Sequence, residues 1–193
     1  MKVSIIKYNA GNVHSVASAL RRMDIEPAIT DDPEILRSSD KVIFPGVGEA
    51  STAMNYLREK NLDKLIPTLT QPFLGICLGL QLMCDSSEEN DAKCLGIFNV
   101  KVKKFEEGLK IPHMGWNNFV ELKSPVFNGI STEDFVYFVH SYYAPISDES
   151  IAITDYGVKF SAAMEKDNFI GMQYHPEKSG KVGAKILENF INL

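Results

Sequence analysis

Short apolar runs alternate with segments of helical period along the first half of the chain, and this alternation narrows the fold more than any other feature. Val3 to Ile6 is one strand-length run. Val13, Val16, Ala17, Leu20 and Met23 then recur at helical spacing behind Asn12, an N-cap residue type. Pro27 to Ile29 reads as a second strand, and Asp31-Asp32-Pro33 opens a short helix with proline in its first turn. Val42 to Phe44 is a third run. A helix over Ala50 to Glu59, a strand over Phe73 to Ile76 and a helix over Leu78 to Cys84 continue the series. Such alternation requires crossover connections, so the expected fold is α/β, an open and mainly parallel sheet with flanking helices.

Between about Leu95 and Phe169 the pattern changes. Phe98 to Val102, Phe135 to Val139 and Ile151 to Thr154 are short strand-like pieces separated by turn residues, which predicts an antiparallel elaboration in the second half. Ile170 to Tyr174 is a strand ending at His175, and Val182 to Asn192 is a closing helix. No repeat, low-complexity tract or long linker interrupts the 193 residues, so a single domain over 1–193 is expected.

The net charge is −5 with no basic block, which argues against a nucleic-acid or anionic-membrane partner. The first apolar run is too short for a signal peptide, and no stretch approaches the roughly 20 apolar residues of a membrane span. Three cysteines, an odd number with no metal-site spacing, suggest free thiols in a reducing cytoplasm. A metal site is not expected.

Gly75-Ile76-Cys77-Leu78-Gly79 lies between the fourth strand and the next helix. The spacing small–x–nucleophile–x–small is that of a nucleophile elbow, with cysteine as nucleophile. Backbone passes close to backbone at such a turn, so only small residues fit the flanking positions. The turn lifts the thiol into a cleft at a helix N-terminus, where the macrodipole favours thiolate. The Leu78 amide then points to where an oxyanion would form. A free cysteine is more often a buried core thiol, and that reading is kept for Cys84 and Cys94, which lack the glycine flanks.

A cysteine nucleophile needs a base. His175 ends an apolar strand, Pro176 stiffens the following turn, and Glu177 is placed to orient the imidazole. His14 has no carboxylate partner nearby in sequence. Pro45-Gly46-Val47-Gly48 follows the third strand, and its glycines let a backbone N–H complete an oxyanion hole with Leu78. In open α/β sheets ligands collect at the carboxyl ends of the strands. Pro45 to Gly48, Gly75 to Gly79 and His175 to Glu177 all fall there.

Pro45-Gly46-Val47-Gly48, Gly75-Ile76-Cys77-Leu78-Gly79-Leu80-Gln81 and His175-Pro176-Glu177 together resemble the class I, or triad, glutamine amidotransferases. The match runs in order over essentially the whole chain. It implies a flavodoxin-like sheet and hydrolysis of L-glutamine to glutamate and ammonia through a glutamyl thioester. It implies no cofactor, and a partner synthase that takes up the ammonia. The resemblance assigns Cys77 as nucleophile, His175 as base and acid, and Glu177 as orienting carboxylate. It gives the amides of Gly48 and Leu78 as oxyanion donors and Gln81 as the contact to the amino-acid end of glutamine. Glu89 matches the acidic contact to the substrate ammonium, with adjacent Glu88 as the other register.

Pro112-His113-Met114-Gly115-Trp116-Asn117 and Tyr137-Phe138-Val139-His140-Ser141-Tyr142-Tyr143 resemble the glutaminase subunits of imidazole glycerol phosphate synthase. Tyr8-Asn9-Ala10-Gly11-Asn12 resembles their N-terminal signature, with Lys7 and Asn9 where aspartate and glycine are usual. This closer resemblance implies a separate cyclase subunit of (β/α)8-barrel type. It implies backbone contacts from Ser141 and Tyr142 to glutamine, and places Trp116, Asn117 and Tyr137 at the partner interface or ammonia route. His113 and His140 read as structural or interfacial. Trp116, the sole tryptophan, lies in a turn-like Pro/Gly segment, not in a periodic core element; aromatic anchors in such places often belong to interfaces. The triad alone leaves open a glutaminase for pyridoxal phosphate, anthranilate or GMP synthesis. The segments at Pro112 and Tyr137 favour the histidine pathway.

Overall fold

The protein, described by a computed structural model over residues 1–8, 12–106 and 108–193, opens with the expected alternation. Strand β1 (Val3–Ile6) is followed by α1 (Val13–Arg21), β2 (Ala28–Thr30), α2 (Pro33–Arg37), β3 (Lys41–Phe44) and α3 (Ala50–Glu59). Next come α4 (Leu62–Leu65), β4 (Phe73–Ile76) and α5 (Leu78–Met83). The second half holds β5 (Cys84–Ser87), β6 (Ala92–Lys93), β7 (Phe98–Lys104), β8 (His113–Asn118) and β9 (Glu121–Leu122). It ends with β10 (Phe135–His140), β11 (Tyr142–Tyr143), β12 (Ser150–Asp155), β13 (Lys159–Lys166), β14 (Phe169–Met172) and α6 (Gly180–Ile191).

Eight strands form the main sheet in the order β2-β1-β3-β4-β14-β13-β12-β9. The first five are parallel, and β13, β12 and β9 extend the sheet antiparallel. The expected fold class, parallel sheet with antiparallel elaboration, is the one found. Alternation of side chains along each strand sends them to two cores. Val3, Ile5, Ile43, Leu74 and Ile76 pack toward α1 and α6, whereas Ile6, Val42, Phe44 and Phe73 pack toward α3, α4 and α5. The four inner parallel strands, β1, β3, β4 and β14, are buried on both faces, which is why each reads as an apolar run, whereas the edge strand β2 is partly exposed.

Three local readings change. The segment around Trp116 is a strand, not a turn: β8 pairs antiparallel with β10, Trp116 opposite Tyr137 and Gly115 opposite Phe138. The glycine, at φ 140°, and the preceding proline hide that pairing from a pattern of alternating side chains. The helix after the elbow stops at Met83, and Cys84 begins β5. Asn12 does precede α1, but its backbone is left-handed (φ 78°) and its side chain makes no cap hydrogen bond. Asp32 does cap α2, accepting from the Glu34 and Ile35 amides, which is worth about 1 kcal/mol.

Candidate active site

The register brings three strand ends together. Phe44 lies opposite Gly75, and Met172 lies opposite Ile76. The residues just beyond these pairs, Pro45 to Gly48, Cys77 and Gln173 to Glu177, are therefore neighbours. At the centre Cys77 has φ 53°, a conformation that costs a non-glycine residue about 1–3 kcal/mol and that clusters at functional sites. The turn holds because its flanks are glycines: a Cβ at Gly75 would come 2.6 Å from Met83 Sδ, and one at Gly79 would run into the Phe44 carbonyl. The Cys77 amide donates to the Met172 carbonyl at 2.7 Å, pinning the turn to β14.

The side chains of His175 and Glu177 are fully buried. His175 Nδ1 lies 2.7 Å from Glu177 Oε1, so the proton on Nδ1 is held by the carboxylate. Burial pushes the His175 pKa down, but the charge and hydrogen bonding of Cys77 and Glu177 outweigh it and raise it to about 10. His175 Nε2 is buried without a hydrogen-bond partner of normal length, so Cys77 acts on it here mainly as a charge. Burial also pushes Glu177 up, yet hydrogen bonds from His175 and Asn12 and the histidine's charge bring it below the usual carboxylate range. The Asn12 contact has no signal in the sequence, where Asn12 reads as a helix cap. Its Nδ2 donates to Glu177 Oε1 at 2.5 Å and lies 3.3 Å from His175 Nδ1. The His175 backbone is fixed as well, its N–H donating to the Tyr137 carbonyl at 2.9 Å.

Cys77 opens onto a cavity of about 350 Å³, at the lower end of the range of roughly 300–1,000 Å³ for small-molecule sites. Gly48, Leu78, Gln81, Glu89, Ser141 and Tyr142 also line it, so six predicted residues converge on one space with the cysteine. His175 and Glu177 are not among its walls. Gln81 Nε2 donates to the Tyr142 carbonyl at 2.9 Å and to Gln173 Oε1 at 3.0 Å. The two glutamates part company. Glu89 faces the cavity and accepts from the Ala50 amide, whereas Glu88 turns to the Lys104 amide and Lys101. Burial raises the Glu89 pKa above its ordinary value.

The oxyanion loop is held away from the two-donor arrangement expected of it. The Leu78 N–H donates to the Gly46 carbonyl at 3.3 Å, and Gly48 sits at φ 129°. Tyr8, buried, anchors this loop by donating to the Pro45 carbonyl at 2.6 Å. The other part of the first-loop signature, Asn9 to Gly11, lies outside the described residues.

Strands β8 and β10 present an exposed apolar surface, and Val139, paired opposite Met114, lines the cavity. Trp116 is 56% and Met114 60% exposed, and Phe135 lies on the same pair of strands. Trp116 meets Tyr137 edge-to-face at 5.9 Å. Asn117 does not share that exposure. Its amide is engaged within the chain, donating to the Asp155 carbonyl at 3.0 Å and lying 3.3 Å from His113 Nε2. Among the described residues no cluster of ligating side chains could hold a metal ion, and no helix is long and apolar enough to cross a membrane.

Comparison with known proteins accords with this geometry. The family model for glutamine amidotransferase class-I matches residues 4–193. The imidazole glycerol phosphate synthase subunit HisH of Bacteroides fragilis is 56% identical over the full length of both chains. The Escherichia coli protein of the same name is 45% identical, again over both full lengths. Among solved structures, a GMP synthase subunit from Thermoplasma acidophilum matches with a TM-score of 0.77 at 21% identity, covering all of this chain and 93% of that one. PurLQS from Thermotoga maritima gives 0.71 at 18% identity, over 99% and 97% of the two chains. At those identities the structural likeness speaks for the fold, and the sequence relatives speak for the family. A strained cysteine elbow at the carboxyl edge of this sheet, and full-length identity to the HisH subunits, make the chain a member of the class-I glutamine amidotransferases of the imidazole glycerol phosphate synthase type.

Proposed function

We propose that this chain, acting as a single domain, is the glutamine-hydrolysing half of a two-chain imidazole glycerol phosphate synthase. One observation carries the reading: a cysteine on a strained elbow faces a small-molecule cavity, backed by a buried His175–Glu177 pair whose imidazole holds its proton. In the proposed reaction the Cys77 sulfur attacks the side-chain carbonyl carbon of L-glutamine. The C–N bond breaks, the proton held by His175 goes to the departing nitrogen, and ammonia leaves a glutamyl thioester. Water then adds to the thioester with His175 as base, releasing glutamate and restoring the thiol. Glu177 and Asn12 keep the imidazole in one tautomer throughout.

Glu89 supports the substrate ammonium, and Gln81, Ser141 and Tyr142 surround the rest of the amino acid. Gly48 and Leu78 supply oxyanion donors once the Leu78 amide is released from the Gly46 carbonyl. Ammonia passes to a separate cyclase of barrel type that docks on the Trp116 and Tyr137 face. Sequestration keeps it unprotonated and nucleophilic. A cytoplasmic setting belongs to the proposal and is supported by three unpaired thiols. The test is to quench the complex during turnover of glutamine and read the chain by mass spectrometry. A glutamyl adduct on Cys77 is expected; turnover with an adduct elsewhere, or with none under conditions that preserve thioesters, would refute the assignment.

A further inference from the structure

Cys77 has a polar neighbour that the proposed reaction leaves without a role. Gln173 follows β14 and is fully buried. Its backbone N–H donates to the Ala162 carbonyl at 2.8 Å, so its main chain is tied to β13. Its side chain bridges two residues of the cavity. Nε2 lies 3.6 Å from Cys77 Sγ, and Oε1 accepts from Gln81 Nε2 at 3.0 Å. A thiolate can only accept, so chemistry fixes the orientation of the amide: N–H toward sulfur, oxygen toward Gln81. The Val139 carbonyl, 3.8 Å from the sulfur, can take the proton of a thiol but offers a thiolate nothing.

We infer that Gln173 is a positioning residue for glutamine hydrolysis, donating to the thiolate form of Cys77 and tying the sulfur to Gln81 at the substrate end of the cavity. The inference rests on the reading of Cys77 as nucleophile. An apolar side chain of the same size would fill this site without the cost of burying an amide, so the two hydrogen bonds are what the glutamine contributes.

The tie is anchored at its far end. The Tyr142 carbonyl that accepts from Gln81 also meets His140 Nδ1 at 2.7 Å. His140 Nε2 lies 3.0 Å from His113 Nδ1, and His113 Nε2 lies 3.3 Å from Asn117 Nδ2. One arrangement of protons satisfies every ring nitrogen: Asn117 donates to His113, His113 to His140, and His140 to the Tyr142 carbonyl. It requires both imidazoles to be neutral, and burial lowers them to about 4 for His113 and about 3 for His140. Gln81 is thereby held from behind, and Gln173 passes that order to the sulfur.

The test compares Gln173→Glu and Gln173→Met with the parent chain. The pH profile of Cys77 alkylation by iodoacetamide is read by fragment mass spectrometry that separates Cys77 from Cys84. Glutamine kinetics are measured with the cyclase chain present. Gln173→Glu keeps an oxygen for Gln81 but sets a second negative charge against the thiolate. Its alkylation midpoint should rise by about one pH unit, and kcat should fall at least tenfold with KM within about threefold. Gln173→Met loses both contacts, so kcat should fall and KM should rise by at least about threefold. A midpoint and kcat like the parent's in either variant would overturn the inference. So would a loss of activity that follows a loss of thermal stability while the midpoint stays put, which is the mark of a purely structural residue. If alkylation of Cys77 in the parent chain leaves hydrolysis intact, the nucleophile assignment fails by itself, independently of the two variants.

Discussion

Lowering the pH from about 7 to about 5.5 should cost the folded chain close to 2 kcal/mol, and the cause is the buried pair His113 and His140. Each is nearly inaccessible, at 3% and 5% exposure, and burial lowers their pKa values to about 4 and about 3. In the unfolded chain both titrate near the ordinary histidine value of about 6.5. Across this window the unfolded state takes up protons that the folded pair refuses, so stability falls as pH falls. Each histidine then contributes a loss of roughly 1.3 kcal/mol, about 2.5 for the two. His175 works the other way: its raised pKa keeps it protonated in the fold throughout, so its contribution grows by about 0.8 kcal/mol over the same interval. That contribution is complete below the unfolded value and is lost as pH rises toward 10. Glu177, whose pKa is lowered, loses its contribution only below the ordinary carboxylate range, outside the window. The net loss of about 2 kcal/mol is measurable as the difference between urea unfolding free energies at the two pH values. Converting His113 to glutamine should remove roughly 1.3 kcal/mol of that loss, well over half of it, while lowering stability at pH 7, because the His113 ring N–H that His140 Nε2 accepts from is gone. An unfolding free energy that is unchanged or higher at pH 5.5 would refute the assignment of a neutral, donor-to-acceptor histidine pair.

Other perturbations address the site and its supports. Asn12→Ala removes a donor to the Glu177 carboxylate and should lower the glutaminase kcat by tenfold to about a hundredfold, the kinetic equivalent of about 1.5–3 kcal/mol for a hydrogen bond to a charged group; steady-state kinetics with little change in KM is the expected readout. Gly79→Ala pushes a methyl group against the Phe44 carbonyl and should destabilise the chain by about 1–3 kcal/mol in thermal unfolding. Trp116→Ala should weaken binding of the cyclase chain by about 2 kcal/mol or more, while the melting temperature of the isolated chain barely moves, since the indole is more exposed than buried. Unchanged affinity in a titration would remove Trp116 from the docking surface.

The parallel half of the fold was legible because four of its five strands are buried on both faces and α1 and α3 keep one apolar face. Ala50 to Glu59 and Phe73 to Ile76 coincide with α3 and β4, and Asp32-Pro33 opens α2 as expected. Strand β8 was not legible, since Pro112 and Gly115 imitate a turn and its outer side chains, Met114 and Trp116, are apolar yet exposed. Cys77, His175 and Glu177 stood out because their local spacing is unusual: glycines flank the cysteine, and proline joins the other two. Asn12 and Gln173 had no such signal. Asn12 sits where a cap is expected and spends its amide on Glu177, 165 positions away. Gln173 is one polar residue at the end of an apolar strand, and only the pairing of Met172 with Ile76 discloses its nearness to the cysteine. A polar side chain at the end of a strand buried on both faces was the available clue to it.

The central claim is a division of labour, with ammonia made at Cys77 and used on another chain. The direct measurement is product formation by the assembled complex carrying Cys77→Ala, supplied in turn with glutamine and with an ammonium salt. Synthesis from glutamine should vanish while synthesis from ammonium continues at a rate near that of the parent complex. Retained glutamine-dependent synthesis, or loss of both activities in a complex that still assembles, would contradict the account.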